Sequence, residues 1–188
     1  VTKRVDDPFI MKALGFCVSI KHAQFMAHQF IKAGISAAAV WGDTPDTERR
    51  DALRMLADGK IQILFSVDLF NEGVDVPSVD TLLLLRPTES ATLFLQQLGR
   101  GLRKSRDKLQ CTVLDFVGTH RREFRFDKRL SALLGGSRKY IQSQVENAFP
   151  YLPAGCHMEL DTVASQTILE SLKSALPCRW NDKVQELR

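Results

Sequence analysis

The strongest constraint on this chain is an alternation. Short apolar runs are separated by longer amphipathic stretches all the way from Ala13 to Val117. The runs Ala13–Ile20, Ile35–Trp41, Ile61–Val67, Asp80–Leu85 and Cys111–Val117 read as strands. Between them, His22–Ala33 carries Ala23, Met26, Ala27 and Phe30 at helical spacing and stops at Gly34. Asp46–Ala57 is a charged helix that buries Ala52, Leu53 and Leu56 and stops near Gly59, and Ser90–Arg103 is a third helix. Strands that alternate with helices predict an α/β fold, a parallel sheet with helices on both faces. In such sheets ligands sit beyond the carboxyl ends of the strands. The segment Phe70–Pro77 follows a strand end, so it is expected to touch a ligand.

After Gly118 the pattern changes. Arg121–Leu134 reads as a basic helix ending at Gly135-Gly136, and Ser137–Asn147 as another. Phe149-Pro150-Tyr151-Leu152-Pro153 is a rigid connector, and Asp161 is an N-cap for a helix to about Ala175, with Pro177 beyond. We divide the chain into a sheet domain, 1–118, and a mainly helical C-terminal extension, 119–188.

The 188 residues suffice for one full domain and a small appendage. The longest aliphatic run, Leu82–Leu85, is far too short to span a bilayer, and the N-terminus has no signal-peptide pattern, so the expected place is the cytoplasm and no membrane partner is expected. The first residue is Val1, consistent with a piece of a longer protein. The four cysteines are widely spaced: Cys17 and Cys111 read as small core residues, and nothing near Cys156-His157 completes a metal site. No metal ligands are assigned to this chain. Residues 98–139 carry twelve Lys/Arg against four Asp/Glu, while the whole chain is only +4. Such a basic zone fits a phosphate-rich partner, although a solvated charge run has the same composition.

Within that zone lies Gln96-Gln97-Leu98-Gly99-Arg100-Gly101-Leu102-Arg103. On a helix at ~100° per residue, Gln96, Arg100 and Arg103 share one stripe, and Leu95, Leu98 and Leu102 the opposite one. The apolar stripe is expected to dock on the sheet while two guanidiniums, always charged and shaped for phosphate oxygens, point away together. Gly99 and Gly101 each cost ~1 kcal/mol relative to Ala, which suggests a close approach to the backbone. A basic helix end is the plainer alternative.

Three other elements accompany it. In Gly15–Ala23 a strand runs into a helix, where Ser19, Lys21 and the first backbone N–H groups could hold a phosphate. In Gly42-Asp43-Thr44-Pro45-Asp46-Thr47-Glu48-Arg49 a turn leads into a helix start. In Asn71-Glu72-Gly73-Val74-Asp75-Val76-Pro77, Gly73 permits close approach, Asp75 could accept hydrogen bonds from ribose hydroxyls, and Pro77 stiffens the exit.

In this order and spacing the four elements resemble the second RecA-like domain of superfamily 2 helicases over roughly residues 10–118. The Gln-x-x-Gly-Arg-x-x-Arg box is the most specific part. Phe65–Pro77 with Asp80–Arg103 looks especially like bacterial DEAD/DEAH-type helicases related to the res subunit of type III restriction systems. The resemblance implies an ATP site between two RecA-like domains. The first domain, outside this sequence, would supply the phosphate loop and most of the Mg²⁺ ligands. Carried over by motif, Arg100 and Arg103 are arginine fingers for the γ-phosphate and Gln96 couples nucleotide to protein. Gly73 and Asp75 line the nucleotide, and Ser19, Lys21 and Arg49 face the nucleic-acid backbone. Many RNA helicases place a Thr six residues before this Gly. Here that position is Val67, so a phosphate contact is lost or moves to Ser66, which points to DNA rather than RNA as the track.

No Gly-x-x-x-x-Gly-Lys-Ser/Thr and no Asp-Glu-x-His or Asp-Glu-x-Asp occurs in these residues. The chain alone is therefore expected to have no significant ATPase activity. Two other readings compete. A non-catalytic RecA-like binding module would use the arginines for binding charge only. A doubly wound dinucleotide enzyme would need a Gly-x-Gly-x-x-Gly turn, which residues 15–23 lack.

Overall fold

The computed structural model describes residues 5, 7–67, 76–88, 90–103, 105, 108–116, 126–152 and 154–174. The chain divides into two compact units, Val1–Thr88 with Thr92–Gly118, and Thr119–Arg188 with Glu89–Ala91.

The first unit is built on a parallel sheet. Its strands are β1 (Ala13–Phe16), β2 (Ala37–Val40), β3 (Ile63–Ser66), β4 (Thr81–Leu84) and β5 (Thr112–Asp115), in the order β2-β3-β1-β4-β5. The register is level: Ala13 lies opposite both Ile63 and Thr81, Ala37 opposite Ile63, and Thr81 opposite Thr112. All five strands thus begin on one line and end on another. Helix α1 (Ile20–Lys32) connects β1 to β2, α2 (Asp46–Ala57) connects β2 to β3, and α3 (Ala91–Gly101) connects β4 to β5.

Strand alternation divides the apolar residues between two faces. Leu14, Phe16, Leu64, Leu82 and Leu84 pack with Leu56 of α2 and with Phe94 and Leu98 of α3. Ala13, Cys17, Ile63, Phe65 and Leu83 pack with Ala23 and Ala27 of α1. The sheet is therefore covered on both sides, as its unbroken apolar runs require. On the α1 side, Phe65 meets Phe30 edge-to-face with centroids 5.2 Å apart. Gly15 makes room for that ring: a Cβ there would stand 2.4 Å from Phe65 Cδ1.

The elements match the sequence reading in kind and order, and differ at their ends. The first strand stops at Phe16 instead of Ile20, because Ser19 already caps α1: its Oγ accepts from His22 N at 3.2 Å. Gly34 (φ +83°) and Gly59 (φ +73°) stop α1 and α2 as expected. The third helix ends at Gly101, so Leu102 and Arg103 lie past it.

The second unit holds α4 (Phe126–Leu134), α5 (Arg138–Glu146) and α6 (Thr162–Ser174). The expected start of α4 at Arg121 lies outside the described residues. Asp161 caps α6 through Ala164 N at 2.7 Å, as the sequence predicts. Ser137, expected as the first residue of its helix, instead caps α5 through Tyr140 N. Among the described residues no helix is long and apolar enough to cross a membrane.

Candidate functional site

The level register gives the sheet two edges, and the candidate residues fall on both. At the carboxyl edge, β1 runs into the N-terminus of α1 and β2 into that of α2. Ser19 and Lys21 are exposed there. The turn Trp41–Thr44 is closed reciprocally: Thr44 N donates to Trp41 O and Trp41 N to Thr44 Oγ1, both at 3.0 Å. This buried Thr44, and not a side-chain cap, shapes the entry to α2, whose cap residue is Pro45. Arg49 follows in the first turn, half-buried and paired with Asp46. Two helix N-termini on one edge present partial positive charge. Lys21 adds a full charge at α1, whereas at α2 Arg49 is paired with Asp46, and Glu48 shares the same first turn.

Ser66 does not belong to this surface. It is 1% exposed, and its Oγ donates to Gly15 O at 3.4 Å inside the sheet. Val67 packs into the α1-side core. A phosphate contact therefore does not pass to Ser66: the strand alternation that keeps the sheet dry turns its hydroxyl inward.

At the amino edge the geometry differs. α3 runs back across the sheet, so its end lies beside the starts of β4 and β5. A Cβ on Gly101 would meet Cys111 Sγ at 2.5 Å and Leu82 Cδ1 at 2.8 Å. The close approach that the glycines suggested is thus, at Gly101, the sheet itself. Gly99 is different: it is exposed, and nothing lies within 4 Å of its Cβ position.

The docked stripe of α3 also differs from the expected one. Phe94, Gln97, Leu98 and Gly101 are buried, while Leu95 and Leu102 are 42% and 64% exposed. The helix is rotated so that bulky Phe94 fills the core and Gly101 meets the sheet. Gln96 stays exposed, Arg100 is half-buried in the last turn, and Arg103 is exposed just beyond it. The two arginines are three residues apart in sequence, one inside the last turn of α3 and one beyond its end. Gln97 Oε1 is buried without a hydrogen-bond partner among the described residues.

The loop carrying the Gly73 and Asp75 motif leaves the carboxyl edge after Val67 and rejoins the described chain at Val76, at the amino edge. Val79 N donates there to Val76 O, and Asp80 N to Lys12 O. Gly73 and Asp75 themselves lie outside the described residues. The exit of the loop is thus at the amino edge, not the carboxyl edge that the rule for open α/β sheets suggests. An open depression of about 410 Å³ lies beside it, lined by Leu53, Arg54, Ala57, Val76, Pro77, Ser78 and Ser105.

Sequence reasoning missed Lys108. Its Nζ donates to Gly101 O at 2.7 Å, Val79 O at 2.9 Å and Pro77 O at 3.2 Å. The basic zone is in part structural. Arg129 is buried, and Arg138 donates to Leu172 O and Ser171 O at the end of α6. Lys12 likewise donates to Ala57 O, the last residue of α2, at 2.6 Å. Cations on helix C-termini satisfy orphan carbonyls and oppose the dipole. Beside Lys108, burial pushes the Cys111 thiol up to about 11, with Lys108 opposing the rise and Asp80 adding to it. Among the described residues no group of three His, Cys, Asp or Glu could hold a metal ion.

A five-stranded parallel sheet in this order, covered on both faces, defines a RecA-like α/β domain. The chain belongs to the helicase conserved C-terminal domain family, whose profile matches residues 8–105, just over half its length. It is 36% identical over 109 residues to a Saccharomyces cerevisiae protein assigned as the ATP-dependent helicase IRC3, covering 58% of this chain and 16% of that one. Among solved structures it is similar to the ATP-dependent Type ISP restriction-modification enzyme LlaBIII bound to DNA. The TM-score is 0.54 at 17% identity, over 87% of this chain and 13% of that one. It is also similar to S. cerevisiae Dbp5 bound to RNA and ADP BeF3, with TM-score 0.53 at 15% identity, over 86% of this chain and 39% of that one. The two structural likenesses share the fold.

Proposed function

We propose that this chain is the C-terminal motor half of an ATP-dependent helicase or translocase acting on DNA, residues 1–118 forming the motor fold and 119–188 its extension. Arg100 and Arg103 act as fingers that offset charge on the γ-phosphoryl group in transfer. Gln96 couples the nucleotide to the protein, and Gly73 and Asp75 line it. Ser19, Lys21 and Arg49 take the nucleic-acid backbone, so binding is tolerant of sequence and sensitive to salt. The first RecA-like domain of the same polypeptide supplies the phosphate loop, and with it the Mg²⁺ of the nucleotide.

The observation that carries this reading is the division of cations between the two sheet edges. A pair of arginines at one edge and a separate set of helix N-termini and cations at the other suits a molecule with two phosphate-bearing ligands. Membership of the helicase family and the 36% identical IRC3 relative support ATP use. The preference for DNA rests on Val67, with no hydroxyl where many RNA helicases have one.

The test is ATP hydrolysis by the longer parent protein, with and without DNA, comparing wild type with Arg103→Ala. Loss of a finger is expected to lower turnover by ~10³-fold or more while DNA binding persists. Unchanged hydrolysis would leave a non-catalytic binding module instead.

A further inference from the structure

We propose that Lys108 is the positioning residue of the finger pair, holding the helix end that carries Arg100 in register with the chain that leaves Asp75. This rests on the reading of Arg100 and Arg103 as fingers, and adds to it the group that sets their place.

A lysine ammonium has three donors and no acceptor. All three are used, on the carbonyls of Pro77, Val79 and Gly101. These carbonyls are 31, 29 and 7 residues away in sequence, so the contact is tertiary. Gly101 is the last residue of α3 and neighbours Arg100 directly, and Arg103 follows two residues later. Pro77 stands two residues after Asp75. One half-buried nitrogen thus spans the finger helix and the exit of the nucleotide-side loop.

The second part is electrostatic. A helix C-terminus carries a partial negative charge of about half an elementary unit and repels phosphate. Fingers launched from such an end work against their own backbone. Lys108 places a full positive charge on those carbonyls, which satisfies one of the orphan groups and offsets the repulsion. Asp80, which with Lys108 acts on the Cys111 thiol, has its Oδ1 accepting from Lys12 N at 3.1 Å and Thr81 Oγ1 at 2.8 Å. Arginine cannot replace Lys108, because a planar fork spreads its donors and three converging carbonyls need a point donor.

The experiment uses the longer parent protein with Lys108→Ala, Lys108→Arg, Arg103→Ala and the double variant Lys108→Ala/Arg103→Ala. DNA-stimulated kcat, KM for ATP, DNA affinity and melting temperature are measured for each. Misplacing a catalytic group by about 1 Å can cost ~100-fold, so Lys108→Ala is expected to lower kcat by ~10- to 100-fold with DNA affinity unchanged. Lys108→Arg, which keeps charge and stem, is expected to fall short of wild type as well. The double variant should be no slower than Arg103→Ala alone, because groups acting through one another are non-additive. A lowered melting temperature with unchanged kcat overturns the proposal, as do multiplying losses in the double variant or wild-type turnover in Lys108→Arg. The last decides the matter even where Lys108→Ala does not fold. If Arg103→Ala itself leaves hydrolysis intact, the finger reading falls and takes this one with it. If Arg103→Ala abolishes hydrolysis and Lys108→Ala does not, only the role of Lys108 falls.

Discussion

The two edges of the sheet solve opposite electrostatic problems. The carboxyl edge holds the helix starts after Ser19 and Pro45, where the dipoles favour anions; the first turn of α1 carries no acid, whereas Asp46 and Glu48 already answer the dipole of α2. A phosphate backbone there needs few added charges. The amino edge carries the end of α3, where the dipole has the wrong sign for a phosphate. For a phosphate to bind there as proposed, attraction would have to come from side chains, with the carbonyls neutralised first. Arg100, Arg103 and Lys108 are all found at that edge. The comparison teaches that a bare count of cations misleads: the same Lys or Arg adds to a favourable field at one edge and corrects an unfavourable one at the other.

The largest test of this division is Arg103→Ala in the longer parent protein, with the ~10³-fold loss of turnover given above and no change in nucleic-acid affinity. Its mirror is Lys21→Ala. Nucleic-acid binding should weaken several-fold and the slope of log K against log salt should shrink by about 1, with kcat at saturating nucleic acid unchanged. A drop in kcat without a change in binding would show that the edges do not divide the work.

Two glycines sharpen the contrast within α3. Gly101→Ala overpacks Cys111 and Leu82 and is expected to destabilise by ~1–3 kcal/mol in denaturant unfolding. Gly99→Ala meets open space and should stabilise by up to ~1 kcal/mol. A Gly99→Ala variant that is more stable but turns over more slowly would reveal a ligand brushing that backbone.

The smallest effects come from the thiols, one near each edge. Burial pushes Cys17 up to about 12 and Cys111 up to about 11. Both stay protonated in the fold while the unfolded chain ionises them from about 9 upward, so their contribution to stability is full below pH 9. It is lost as pH rises toward about 11 and 12. In alkylation at pH 8, followed site by site, exposed Cys156 should react well before either. Lys108→Ala, by loosening the end of α3, should accelerate Cys111 and leave Cys17 unchanged.

Much of the fold was legible because its signals are local. Apolar runs, Gly34 and Gly59, and the cap Asp161 each act within a turn of their own position. The phase of α3 was less so. The stripe pattern puts Gln96, Arg100 and Arg103 on the solvent side, where Gln96 and Arg103 are exposed and Arg100 is half-buried, but it puts Leu95 and Leu102 in the core that Phe94 and Gly101 occupy. Hydropathy alone cannot tell that a glycine is buried because the sheet needs its space. Ser66 was misread for a similar reason, since one strand position decides whether a hydroxyl meets solvent or a neighbouring carbonyl. Lys108 carried no local signal, because two of its three partners are about thirty residues away.

The level register has a mechanical side. Each strand is four residues long, so the plate between the two edges is only about 13 Å deep. With helices packed on both faces, any tilt of the plate carries those helices with it. A tilt of roughly 15°, the size of rotation found between subunits of allosteric proteins, moves the far edge by about 3 Å. That is close to the ~3.4 Å rise between neighbouring nucleotides along one strand. In the motor proposed above, a sheet this shallow would be a lever whose throw is about one base step.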